Sequence, residues 1–358
     1  MSTNQLYHTW YKEMCELRCG EHQRRLRLFV WFLVGLFLGR SVHLSHIAKK
    51  IPSRATNPSK TRGLRRLLNN PAIQVRSWYR PLATRIINAI LRHNLPIRLI
   101  VDGSKVGSGH QLLMVAVAYR RRALPLAWTW VRGARGHSSS WKQLALLAYV
   151  HSLLPAHARV SLVGDCEFGA VPVLRWLDHV KWQYVLRQPG NTLLQQAGHM
   201  HWQRLDTLIQ HARQRVWLPQ VRLTQQHAYG VNFAACWQPG EGEPWLLATN
   251  LPDLRTTLRA YRKRMWLEEM FGDFKGHGFN LESTHLRHFL RLSRLTLAVT
   301  LLYLWLIAFG SRVIKNGLRY LVDRKDRRDL SIFRIGLDMI DRHLTNAEAF
   351  VFRWLPYF

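Results

Sequence analysis

Apolar positions recur at helical spacing through residues 1–95 and predict an all-helical segment. Within it, SVHLSHIAKKIP (41–52) and SKTRGLRRLLNN (59–70) predict two short helices, the second dense in arginine, with Ser41 and Ser59 as N-caps. Such a pair is either a helix-turn-helix whose second helix meets DNA or a plain bundle with a solvated basic face. The pattern then changes. IRLIVDGS (97–104) is an apolar strand ending in an acid. QLLMVAVAYRRRALPLAWTWV (111–131) reads as two strands about a turn near Arg121 and Arg122. SSSWKQLALLAYVHSLL (138–154) is a serine-capped helix, and RVSLVGD (159–165) is a second apolar strand ending in an acid. A helix at about 169–179 and a strand at WQYVLRQ (182–188) follow.

Strand, hairpin, helix, strand, helix, strand is the order of a ribonuclease H-like α/β fold, so the fold class expected is α/β, with a mixed sheet as its core. Residues 190–254 interrupt that order. RQRVWLPQVRLTQQ, YGVNFAACW and PWLLATN read as strands separated by turn signals such as PGEGEP, and so as a β-rich insertion. One helix is expected over about 255–275, with helices to the C-terminus. The domain scheme expected is therefore a helical region at 1–95, a candidate for DNA binding if the helix pair is a helix-turn-helix, a ribonuclease H-like core at 96–189 and 255–310, the insertion at 190–254, and a helical region at 311–358.

Charge narrows the partners. Lys and Arg total 52 against 21 Asp and Glu among 358 residues, a formal net charge of +31, while 47% of residues are apolar. A folded body with that charge attracts a polyanion, and counterions released from DNA strengthen such binding. Nucleic acid leads and an anionic membrane surface comes second. Cys15, Cys19, Cys166 and Cys236 have neither zinc-site nor disulfide spacing, which suits a reducing cytosol. The apolar runs Leu28–Gly39 and Leu295–Gly310 fall short of the ~20 residues a span needs, and read as buried helices. The expectation is a cytoplasmic, nucleoid-associated protein with no membrane partner.

The scarce acids are then informative. Asp102 and Asp165 each end an apolar strand, and a right-handed crossover through the hairpin and helix between them would lay those strands side by side and parallel. Two adjacent carboxylates repel, and a divalent cation relieves the repulsion; Mg²⁺ prefers carboxylate oxygens. The alternative is that each Asp caps a turn. In YRKRMWLEEMFGDFK (261–275), Tyr261, Arg264, Glu268 and Lys275 are spaced three, four and seven apart, so a helix puts them on one stripe. Leu267, Met270, Phe271 and Phe274 fall on the opposite side and bury it. Glu268 would complete the acid set, with Arg264 and Lys275 on flanking phosphates; the alternative is a face held by ion pairs such as Arg264–Glu268. Glu269 and Asp273 sit at other helical angles, Glu167 sits just past Asp165, and all three are set aside.

At these residues the chain resembles the DDE transposases of bacterial insertion sequences, in the subgroup marked Tyr-x2-Arg-x3-Glu-x6-Lys. Tyr261, Arg264, Glu268 and Lys275 match every position, with IVDGSKV, LVGDCEFG and PWLLATN in support. Cys166-Glu167 after the second Asp is a departure, since relatives often carry a basic residue there. The resemblance implies catalysis by Asp102, Asp165 and Glu268 holding two Mg²⁺ ions, with Mn²⁺ as a substitute. It also implies DNA contacts by Tyr261, Arg264 and Lys275, and homodimers that act on paired terminal inverted repeats and target DNA. Relatives that cut through a DNA hairpin stack a flipped base on a tryptophan of the insertion, and Trp245 holds the matching place. A ribonuclease H-like nuclease that cuts without joining, and a catalytically silent DNA-binding descendant, are the alternatives.

Overall fold

The computed structural model describes residues 2–107, 109–133 and 138–358. Five helices come first: α1 (Thr3–Leu17), α2 (Gln23–Gly39), α3 (Leu44–Lys50), α4 (Asn57–Asn69) and α5 (Val75–Arg92). The alternating part holds β1 (Ile97–Val106), β2 (His110–Tyr119), β3 (Arg122–Arg132), α6 (Ser140–His151), β4 (Val160–Gly164), α7 (Val171–His179) and β5 (Gln183–Arg187). Then come β6 (Leu193–Gln195), β7 (Gln203–Arg204), β8 (Arg215–Leu223), β9 (Tyr229–Cys236) and β10 (Trp245–Thr249). Helices α8 (Leu254–Tyr261), α9 (Met265–Phe274), α10 (Phe289–Lys315) and α11 (Ile332–Thr345) complete the chain.

These elements form two compact units that do not follow chain order. One comprises Met1–Ala89, Val106–His110 and Phe271–Phe358; the other comprises Ile90–Lys105 and Gln111–Met270.

The second unit is built on one sheet of ten strands in the order β3-β2-β1-β4-β5-β10-β9-β8-β6-β7. β1, β4 and β5 are parallel, with Val101 opposite Gly164 and Gly164 opposite Leu186. β2 and β3 lie to one side of β1, joined by a two-residue turn in which Arg120 and Arg121 both have positive φ, as a tight hairpin demands. Strand order β3-β2-β1-β4-β5 with α6 and α7 as crossovers is the ribonuclease H-like core. The β-rich insertion lengthens that same sheet: β10 returns antiparallel beside β5, and β9 pairs with β10. β6 and β7 were not expected, being too short to show a period. The two edges of the sheet are β3, which contains Pro125, and the two-residue β7. In β8, Pro219 stands where the register shifts between Leu218 and Val221, a place where a missing N–H costs little.

Several local expectations are corrected. β1 runs four residues past Asp102, so that acid lies inside the strand, just beyond the ladder with β4. Thr56, not Ser59, caps α4, its hydroxyl accepting from the Ser59 amide. Ser41 precedes α3, whose N-cap is His43. The single helix expected over 255–275 is α8 and α9 joined by one tightened 3₁₀ turn, Arg262–Arg264.

In the first unit, Trp10 of α1 meets Trp305, Phe352 and Trp354 edge-on, at 5.2, 4.9 and 5.4 Å between centroids. The run read as Leu295–Gly310 belongs to the 27-residue α10, which by length and composition is long enough to cross a membrane. Its apolar window is 83% buried within the protein, so packing accounts for that character. α2 and α3, bent by 98°, pass the same test only together. Some basic residues are structural. Arg294 is buried and donates to the Leu68 and Ile73 carbonyls, satisfying chain ends at α4. α10 crosses α11 with almost no space. A Cβ on Gly310 would strike the Ile332 carbonyl oxygen, and one on Gly336 would strike that of Leu306. Gly336→Ala therefore has to push the two helix backbones apart. A loss of at least ~1–3 kcal/mol is expected, since overpacking has that cost. Urea unfolding of the variant should show an earlier midpoint, and an unchanged midpoint would mean the helices separate freely.

Candidate active site

Parallel pairing of β1 and β4 ends at Val101 and Gly164, so the next residue on each strand, Asp102 and Asp165, emerges at the same end of the sheet. Asp102 is 2% exposed. Its Oδ1 accepts from the Gly103 amide at 2.7 Å, and its Oδ2 accepts from Arg264 Nη1 at 3.0 Å. The same Nη1 donates to Glu268 Oε1 at 2.6 Å. Arg264 thus bridges two acids from different parts of the chain, one on β1 and one a turn further along α9. Asp165 is half-buried; its Oδ1 accepts from the Cys166 amide at 2.8 Å and caps a 3₁₀ turn.

Burial pushes the Asp102 carboxyl up to about 7. Arg264 opposes the rise, while the negative charges of Asp165 and Glu268 add to it. Those two acids act on Asp102 because they lie near it, and Arg264 in turn feels Asp102, Glu268 and Asp165. Among the described residues, no three His, Cys, Asp or Glu side chains are gathered closely enough to hold a metal ion. Asp102 and Glu268 instead converge on a guanidinium. The chemistry of the donor set nevertheless fits a divalent cation: three carboxylates, all hard oxygens, one of them buried and drawn to positive charge.

The stripe of the signature is only partly as expected. Tyr261 is buried, and its phenol is pushed above its usual range, first by desolvation. Its hydroxyl has no hydrogen-bond partner among the described residues. Arg264 is spent on carboxylates rather than turned outward to phosphates. Lys275 lies just past α9 in the other compact unit and pairs with Glu282 at 2.6 Å. Leu267, Met270, Phe271 and Phe274 are all buried, as the pattern required. The acids set aside have structural partners. Glu167 accepts from Gln111 Nε2 at 2.7 Å and from the Ser138 amide at 2.8 Å, and Glu269 pairs with Arg122 at 3.2 Å. Glu167 explains its own place after Asp165: it ties the start of α6 to β2.

Trp245, at the start of β10, meets the Tyr261 ring edge-on at 5.0 Å. The two line a cavity of about 270 Å³ with Arg187, Glu243, Arg264 and Met265. Arg187 was missed from the sequence. It ends β5 and donates to Glu243 and to the Pro244 carbonyl; a lone arginine at a strand end carries no periodic signal that would mark it.

Among protein families, the model for the transposase DDE domain matches residues 97–305, more than half of the chain. Among solved structures, a piggyBac transposase seen by cryo-EM in a synaptic complex with hairpin DNA is similar over 96% of this chain and 77% of its own. The identity is 8% and the TM-score 0.43, too low to decide fold or function. No curated protein matches significantly.

The raised Asp102 pKa has a signed consequence for the metal-free protein. The native state holds its proton up to about 7, whereas an unfolded aspartate releases it near 3.8. Stability from this group is fully present below 3.8 and is lost as pH rises to about 7. Asp102→Asn removes that dependence. Melting temperatures in a chelator should show the gap, variant minus wild type, widening by a few degrees from pH 4 to pH 7 and levelling above. A gap that narrows over that window would contradict the burial argument.

Proposed function

The chain belongs to the transposase DDE domain family, and on that premise we propose that it cleaves DNA at the ends of an insertion sequence and joins them to target DNA. Membership makes it a transposase of a transposable element, an enzyme of the nucleotidyl-transfer class. The observation that carries the finer reading is the bridge from Asp102 through Arg264 to Glu268, with Asp165 on the neighbouring strand. Two acids from different elements share one buried cation, with the charge of a third acting on both, which a merely structural helix face does not require.

Asp102, Asp165 and Glu268 are the residues that would hold divalent metal, Mg²⁺ with Mn²⁺ as a substitute. Bound there in a pair, such ions supply an activated water or DNA 3′-hydroxyl and stabilise the leaving 3′-oxygen. The chain's own groups do the rest. Arg264 holds Asp102 and Glu268 in place until DNA and metal arrive. Freed from that pairing, it is positioned for a phosphate beside the reacting bond, and a guanidinium suits phosphate as well as carboxylate. Lys275 and Tyr261 contact the DNA end. The cavity lined by Trp245, Tyr261 and Arg187 accepts a base turned out of the stack. An aromatic face is worth about 1–3 kcal/mol to such a base. The exposed Arg62, Arg65 and Arg66 of α4 serve as further DNA contacts, and two copies act on paired terminal inverted repeats. On this reading the protein acts on the nucleoid, in the cytoplasm.

Purified protein, end-containing DNA and Mg²⁺ form the deciding assay. Joined product is expected. Cut but unjoined DNA would indicate a nuclease, and binding alone a silent descendant. Asp102→Asn should abolish cutting, by at least a hundredfold, and leave DNA affinity within about twofold; comparable nicking would remove Asp102 from the reaction. Trp245→Ala should nick normally and lose hairpin or double-strand product. Equal loss of both steps with a lowered melting temperature would make Trp245 a packing residue.

A further inference from the structure

A second cationic site lies on the same unit, away from the acids. Arg98 on β1 pairs in register with Ser161 on β4, and Ser161 with Gln183 on β5. Paired residues share a face, so these three make one polar row across the parallel strands. Ile100 and Val163 form the next row on that face and give an apolar floor. Helix α8 and the turn after it lie over the row. They bring Thr256, Arg259, Ala260 and Lys263, at the i, i+3, i+4, i+7 spacing that makes one helical stripe. Row and stripe enclose a cavity of about 170 Å³. Arg98 stands four residues before Asp102, roughly 13 Å along the strand at the usual rise.

Three cations line this cavity, and no carboxylate does. Among the described residues, none of Arg98, Arg259 and Lys263 is in an ion pair. The field of Asp253 reaches Arg259, but its Oδ1 accepts from the Thr256 amide. Lys263 gives one N–H to the Arg259 carbonyl, at 3.1 Å, and keeps two to offer. Its ammonium is pushed below its usual range, first by burial and then by Arg98 and Arg259. Like charges brought together in a partly enclosed space are unfavourable unless an anion joins them.

The geometry points to a phosphate-binding pocket formed by Arg98, Arg259 and Lys263, with Ser161, Thr256 and Gln183 as neutral hydrogen-bonding groups. A tetrahedral oxyanion accepts from several directions at once, which suits two guanidinium forks and an ammonium around a small cavity. The phosphate comes either from the backbone of bound DNA or from a free phosphate ester. Only the first source rests on the transposase reading.

The test uses the full chain in a chelator. Its melting temperature is followed against inorganic phosphate, with sodium chloride at matched ionic strength as the control. Wild type should melt higher in phosphate, and Arg98→Gln/Lys263→Gln should lose the difference. Both side chains are at least partly exposed, so the double variant is expected to fold. The second arm measures duplex DNA affinity against salt, with Arg324→Gln/Arg328→Gln, two exposed arginines elsewhere, as the comparison. A salt slope shallower by about one per lost contact, beyond the comparison, assigns the pocket to the DNA backbone. A phosphate shift with an unchanged slope assigns it to a free ester. No phosphate shift together with no excess change in slope overturns the pocket. If such a wild type still cuts end DNA, the transposase reading stands without it; a phosphate shift in a protein that cuts nothing supports the pocket alone.

Discussion

A buried carboxylate flanked by the charges of two others is the constraint around which the sheet-bearing unit is arranged. Asp102 is nearly sealed from water, and burial alone would favour its neutral form. Arg264 relieves the charge by donating to Asp102 and Glu268 through one nitrogen. That arrangement needs β1 and β4 side by side, the turn between α8 and α9 tightened so that Arg264 points inward, and Glu268 one turn further on. Breaking one partner of such a buried set is costly, because the remaining charge is left without compensation. The guanidinium thus keeps the acids together and also keeps them from standing open.

Much of this was legible in the sequence, for definite reasons. Apolar strands at 97–101 and 160–164 ended near acids, and the parallel pairing followed from the helix between them. The buried side of α9 was legible because Leu267, Met270, Phe271 and Phe274 keep one period. What stayed hidden had no period to reveal it. β6 and β7 are too short. The placement of β10 beside β5 is a long-range pairing that no local pattern announces. The 3₁₀ turn at Arg262–Arg264 breaks an otherwise continuous helical spacing, and it changes what Arg264 faces. Residue types and spacing put Asp102 in one acid set with Glu268 and allowed an Arg264–Glu268 pair; only the fold shows that Asp102 shares the same guanidinium.

The basic excess is also unevenly employed. Arg294 holds the end of α4 through backbone carbonyls, Arg122 holds Glu269, and Arg264 holds two acids. Others, such as Arg62, Arg65 and Arg66, face solvent. Net charge by itself says that a polyanion is attracted, and the structure separates the cations that hold the chain together from those left to meet it.

The two ends of the ten-stranded sheet bear on a hazard particular to such a molecule. A strongly basic protein gathered along a polyanion is crowded far above its concentration in bulk. An open, regular strand at the rim would let crowded copies zip together backbone to backbone, the first step toward fibrils. Here one rim strand carries Pro125, which has no N–H to offer, and the other is only two residues long. Both rims are thus blunted against pairing edge to edge with another copy.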